Sequence, residues 1–181
     1  QTPNNLFPIN PASGYDILNP AGGMMLRTMK HEGGVNGAIQ LYDRRILSWS
    51  DDKTLRLWAP NGTPIMTITG HTDRVNGVIE LRDGRILSWS DDETLCLWAS
   101  DGTLIMILLG HQGSVSGATQ LLDGCILSWS NDKTLRLWQI DGTPIAILTG
   151  HTNDVNGAIQ LSDGCILSWS NDKTLRLWQI D

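Results

Sequence analysis

Residues Ile86–Trp98 read ILSWSDDETLCLW, and near-identical stretches begin at Ile46, Ile126 and Ile166, forty residues apart each time. A fixed period of that length signals a repeat architecture. Each unit is then one supersecondary element, too small to bury its own apolar face, and it must stack on its neighbours. Whatever fold the chain adopts has to satisfy four nearly equivalent units at once.

Within a unit the turn signals and alternation point to antiparallel β structure. In the second unit an inner strand near Val75–Leu81 is followed by Asp83-Gly84, a hairpin signal because Gly accepts the positive φ such turns need. A second strand then spans Arg85–Ser90 and a third Thr94–Trp98. Another turn, Asp101-Gly102, recurs as Asn61-Gly62 and Asp141-Gly142 and leads into a fourth strand such as Ile145–Thr149. The first unit has Tyr42-Asp43-Arg44-Arg45 in place of Asp-Gly, which predicts another turn geometry or strain at Arg44. Strands two and three carry bulky apolar groups on both alternating sets, so both faces of each small sheet are expected to be covered. Four-stranded sheets covered on both faces by copies of themselves predict a β-propeller, all-β, with four blades per chain.

Ahead of the repeats, residues 1–23 hold Pro3, Pro8, Pro11 and Pro20 without helical or strand periodicity and read as an extended segment. Met24–Met29, MMLRTM, aligns with PIMTIT of Pro64–Thr69. Residues 24–30 are therefore expected to be a closing strand, before repeats that start at His31, His71, His111 and His151.

Composition narrows the function classes. Thirteen Lys and Arg against nineteen Asp and Glu give a net charge of −6, which repels a polyanion, so a nucleic-acid partner is not expected. No apolar run approaches the eighteen or so residues needed to cross a bilayer as a helix, and no basic stretch followed by an apolar one opens the sequence, so a membrane partner is not expected either. Cys96, Cys125 and Cys165 are odd in number, and the last two occupy one repeat position on successive units, about 10 Å apart for stacked sheets and beyond disulfide reach. Free thiols in a reducing, cytoplasmic compartment are the expectation. No cysteine cluster has metal-ligand spacing, and no metal or cofactor is predicted.

Gly70-His71, the Ser-x-x-x-Asp-x-Thr run and the closing Trp98 together resemble the WD-repeat family of β-propellers, a likeness covering residues 24–181. The resemblance implies a structural tetrad in each blade: a His ahead of the inner strand, a Ser on strand two, an Asp in the tight turn and the Trp of strand three, joined by hydrogen bonds. By position the tetrads are His31, Ser48, Asp52 and Trp58; His71, Ser88, Asp92 and Trp98; His111, Ser128, Asp132 and Trp138; and His151, Ser168, Asp172 and Trp178. Burying an indole N–H, an imidazole and a carboxylate together is costly unless they satisfy one another. Four equal Ser, His and Asp sets at forty-residue spacing therefore argue for structure and against a hydrolase triad. The sequence departs from the family pattern twice. The Asp of the signature Trp-Asp is replaced by Ala59, Ala99, Gln139 and Gln179, and strand two carries Trp49, Trp89, Trp129 and Trp169 where the family usually has a small residue. These extra indoles are expected to fill the space between blades.

Repeats three and four differ at only six of 31 aligned positions, 112, 113, 114, 116, 119 and 122, a similarity expected of recent duplication or of a consensus-like sequence. Variation gathered after the tetrad His over a constant frame is what a binding rim on a scaffold shows. The candidate rim residues are Glu32, Asp73, Arg74, Gln112, Ser114, Asn153 and Asp154. The resemblance and this rim predict a non-catalytic scaffold for protein-protein interaction with a protein or peptide partner. A repeat-based carbohydrate or small-molecule binder is the alternative, but it calls for loop aromatics, and all eight Trp lie on strands. An enzyme in the channel calls for an unrepeated polar cluster, which is not found. For closure, four blades in a ring would splay adjacent sheets by about 90°, keeping a spacing of about 10 Å only near the axis. Eight blades halve that angle, so a homodimer is expected in which each chain lends its first strand to the other's last blade.

Overall fold

The computed structural model describes residues 16–18 and 24–180. Most of the predicted extended segment, residues 1–23, lies outside the described residues. Among the described ones, β1 (Asp16–Leu18) pairs antiparallel with β2 (Met24–Met25). The first blade follows with β3 (Val35–Gln40), β4 (Ile46–Ser50), β5 (Thr54–Trp58) and β6 (Pro64–Thr69). The second has β7 (Val75–Glu80), β8 (Ile86–Ser90), β9 (Leu95–Trp98) and β10 (Leu104–Leu108), and the third β11 (Val115–Gln120), β12 (Ile126–Ser130), β13 (Leu135–Trp138) and β14 (Pro144–Leu148). The fourth holds three strands, β15 (Val155–Gln160), β16 (Ile166–Ser170) and β17 (Leu175–Trp178). Each blade is an antiparallel meander in sequence order, as the turn signals predict.

The apolar alternation decides how blades meet. Leu87, Trp89, Leu95 and Leu97 point from the second blade onto Val115, Ala118, Ile126 and Trp138 of the third, and the same arrangement recurs on either side. The core is thus a series of layers between blades. The additional Trp of strand two belongs to these layers. It stands opposite a Gly in the register of β7 and β8, where Gly77 pairs with Trp89, and its indole occupies the space a side chain at that glycine would need. A Cβ at Gly37, Gly77, Gly117 or Gly157 would collide with the ring. The Trp on one strand and the Gly on its neighbour are one packing feature, since Gly in a strand marks close approach of another group.

Arg44 takes a φ of 73°, where Gly84, Gly124 and Gly164 take 82°, 95° and 90° in the other hairpins. The turn keeps its geometry and the arginine accepts the strain. Nothing lies within 4 Å of the position a Cβ would occupy at the equivalent Gly84, so the cost is conformational. Arg44→Gly is expected to stabilise the protein by about 0.5–1 kcal/mol, read as a higher urea midpoint. An unchanged midpoint would show that the turn absorbs the strain.

Within one chain, the strand in residues 24–30 is Met24–Met25, and it pairs with β1. The rest of the segment lies beside the first blade. Arg27 donates to Thr63 Oγ1 at 3.1 Å, and Arg56 donates to the carbonyl of Lys30 at 2.8 Å. Arg27 and Met29 sit against Gly62, whereas the residues in that place at Gly102 are Met66 and Ile68, one position out of phase with the repeat. A strand without a ladder has nothing to hold its register, and a slip of one residue exchanges its faces.

The arc of blades does not close on itself. Leu55 and Leu57, Leu95 and Leu97, and Leu135 and Leu137 are buried against the next blade, whereas Leu175 and Leu177 are 68% and 62% exposed. At the other end Val35 is 57% exposed, while Val75, Val115 and Val155 are fully buried.

Candidate functional site

The tight turn between strands two and three and the loop ahead of the inner strand meet at one end of each blade. In the second blade His71 Nδ1 lies 2.9 Å from Asp92 Oδ2, His71 Nε2 2.7 Å from Ser88 Oγ, and Trp98 Nε1 donates to Ser88 Oγ at 2.8 Å. The structure brings all four sets together. The three distances are 3.0, 2.7 and 2.8 Å in the first blade, 2.7, 2.8 and 2.9 Å in the third, and 2.8 Å throughout in the fourth. A carboxylate only accepts, so the imidazole proton sits on Nδ1. In the neutral ring Nε2 then accepts from the Ser hydroxyl, which accepts from the indole. One tautomer satisfies the whole chain.

Sequence reasoning missed the further partners of the Asp. Its Oδ2 also accepts from the amide after the His, at 2.8 Å from Thr72, and its Oδ1 accepts from the amide and hydroxyl of Thr94 at 3.0 and 2.7 Å. The threonine of the Ser-x-x-x-Asp-x-Thr run was the signal for this contact. Burial opposes ionisation of Asp92, but the hydrogen bonds from His71, Thr94 and the Thr72 amide outweigh it and hold the carboxyl well below the usual carboxylate range. Asp52, Asp132 and Asp172 are lowered in the same way. The Ser hydroxyls of the second, third and fourth sets are fully buried. Cys96 is buried too, 3.8 Å from His71 Nδ1, and burial pushes its thiol up to about 12, so it carries no thiolate at neutral pH.

Beside the tetrads the rim loops form a polar surface that crosses from blade to blade. Arg74 Nε pairs with Asp91 Oδ2 at 3.0 Å, and Asn76 donates to Asp91 Oδ1 at 2.7 Å and to the carbonyl of Val115 on the next blade at 3.0 Å. Ser114 also donates to Asp91. Arg74, Asn76, Asp91, Ser114, Ser116 and Asn131 line a cavity of about 480 Å³. Of the predicted rim residues, Glu32, Asp73, Arg74, Gln112 and Asn153 are exposed, and Ser114 and Asp154 are half-buried. The loop Asp91–Glu93 was expected on this rim together with His71–Arg74. Asn76 was missed. Its recurrence as Asn36 was the available signal, but the role depends on contact with the next blade.

Residues 62–99, 102–139 and 142–179 each match the WD domain, G-beta repeat family. Each matched span runs from the outer strand of one blade through the third strand of the next. Among solved structures, the WD40 beta propeller domain of Doa1 superposes with a TM-score of 0.75 at 27% identity, over 84% of this chain and 53% of that one. This chain therefore spans about half the length of that domain. The computationally designed Ika4 protein superposes with a TM-score of 0.74 over 88% of this chain and 99% of that one, and at 22% identity the likeness shows the fold alone. None of the curated proteins matches.

Proposed function

Because the chain belongs to the WD domain, G-beta repeat family, we propose that it is a non-catalytic scaffold whose rim, formed by Glu32, Asp73, Arg74, Gln112, Ser114, Asn153 and Asp154, binds a protein or peptide. The observation that carries this reading is where the chain varies. Of the six differences between repeats three and four, those at 112, 113, 114 and 116 fall on the rim, while every tetrad residue is unchanged. Burial of the tetrad serines supports the non-catalytic half, since no substrate reaches Ser88, Ser128 or Ser168.

The proposed scaffold pairs with itself. The two exposed end faces carry the residues that make the internal blade contacts, so two copies joined head to tail would form an eight-bladed ring, four blades from each. Light scattering is expected to give about twice 19.9 kDa, and a monomer at every concentration refutes the pairing.

The rim is tested with peptides selected from a phage-displayed library against the parent protein. Asp73→Arg with Arg74→Asp is expected to abolish binding of most selected peptides while leaving circular dichroism and melting unchanged, since surface changes move stability by only about 0.5 kcal/mol. Binding that survives those changes but is lost in Tyr42→Ala with Arg82→Ala places the site on the opposite rim.

A further inference from the structure

On the rim opposite the tetrads, each blade is tied to the next by one hydrogen bond of constant form. Tyr42 N donates to Glu80 Oε2 at 2.7 Å, Arg82 N to Gln120 Oε1 at 3.0 Å, and Leu122 N to Gln160 Oε1 at 2.8 Å. The donor is the second residue after the inner strand, and the acceptor is the last residue of the following blade's inner strand. Two members of the series lack counterparts among the described residues. Ser162 is the fourth donor, at the open face of the last blade, and Gln40 is the fourth acceptor, at the open face of the first.

Gln40 is already held in the pose that the internal bond uses. Gln120 donates through Nε2 to the carbonyl of Gly124 in its own hairpin, at 3.2 Å, while its Oε1 accepts from the neighbouring blade. Gln40 makes the same hairpin bond to the carbonyl of Arg44, at 3.3 Å, and its side chain is exposed. A side chain fixed in its bound conformation loses less entropy on association.

A second series runs along the tetrad rim. Asn36 Nδ2 donates to the carbonyl of Val75 and Asn76 Nδ2 to that of Val115, both at 3.0 Å. Ser116 is too short to repeat this and donates to Asn131 Oδ1 in its own blade. Asn156 restores the long amide at the open face of the last blade. It donates to Asn171 Oδ1 as Asn36 does to Asp51, and the acceptor equivalent to Val75 is the carbonyl of Val35 at the other end of the array.

We infer that the two open faces are halves of one interface, completed by a second copy of this chain. Ser162 N donates to Gln40 Oε1 of the second copy, and Asn156 Nδ2 to its Val35 carbonyl, around an apolar layer of Trp169, Leu175 and Leu177 against Val35, Ala38 and Ile46. This assignment rests on the head-to-tail pairing proposed above and specifies its register. The occupant is a second copy because each face carries what the other lacks, in the order that already joins blades within the chain.

The test is the dimer dissociation constant, measured by sedimentation for the parent and three variants. Gln40→Ala removes one acceptor at each of two junctions and is expected to raise the constant about thirtyfold, about fivefold per junction. Gln40→Glu is expected to keep the parent value, because Glu80 already performs this role. Gln160→Ala cuts a bond of the same kind inside the chain and is expected to lower the melting temperature while leaving the dissociation constant within about twofold. A dimeric parent whose constant is unmoved by Gln40→Ala overturns the junction register and leaves the pairing intact. Equal weakening by Gln160→Ala and Gln40→Ala also overturns the register, because the effect is then general. A parent that never dimerises overturns the pairing itself.

Discussion

Leu175→Asp with Leu177→Asp is expected to leave the protein monomeric at concentrations where the proposed pairing would make the parent sediment as a dimer. Both leucines stand at repeat positions that are buried in the first three blades and are more than half exposed here. Burying a leucine contributes about 1.5–3 kcal/mol, and two leucines at each of two junctions weaken the pair by on the order of a thousandfold or more. A carboxylate in the same layer adds a desolvation cost without a cation to meet it. The matched control is Leu95→Asp with Leu97→Asp, inside the chain, which is expected to unfold the second blade instead of dissociating an intact one. A double variant at Leu175 and Leu177 that still pairs would remove this face from the interface.

Asp92→Ala is expected to destabilise the protein by about 3 kcal/mol, read as a fall of about 1 M in the urea midpoint. The carboxylate accepts from His71, from the amides of Thr72 and Thr94 and from the Thr94 hydroxyl, and alanine leaves these donors without it in a largely buried place. In the single chain, Asp172→Ala should shift the midpoint less, because there the last blade is covered on one face only and its Trp178 is only partly buried. The same bonds set the acid response. The folded carboxyl lies below the ordinary value of 3.8, so its contribution is full above that value and is lost as pH falls toward the folded value. Stability should decline below about pH 4, less steeply in Asp92→Ala because one depressed carboxylate has been removed. An unchanged midpoint for Asp92→Ala removes the tetrad from the stabilising interactions.

The two predictions draw on different levels of the molecule. The forty-residue period and the strand order within a blade were legible in the sequence, because each depends on residues at fixed separation inside one unit. The membership of each tetrad was legible through the resemblance to the WD-repeat family, and in the structure the loop ahead of β7 brings His71 onto Ser88 and Asp92. At Arg44 the sequence left another turn geometry or strain open, and the φ of 73° in the structure decided for strain.

What lies between units was decided by tertiary packing. A sequence lists Asn76, Val115 and Asp91 without saying that neighbouring blades bring them together, and it lists Gly77 and Trp89 without saying that the indole covers the glycine. Residues 24–30 show the limit most plainly. Their likeness to Pro64–Thr69 predicted a strand that closes the last blade of a second copy, and within one chain they lie beside the first blade, one residue out of phase with the repeat they resemble. Four equal repeats determine how a blade is built and how it stacks on the next. Which two faces remain open depends on where the array begins and ends in space, a property of the assembled arc and of no single repeat.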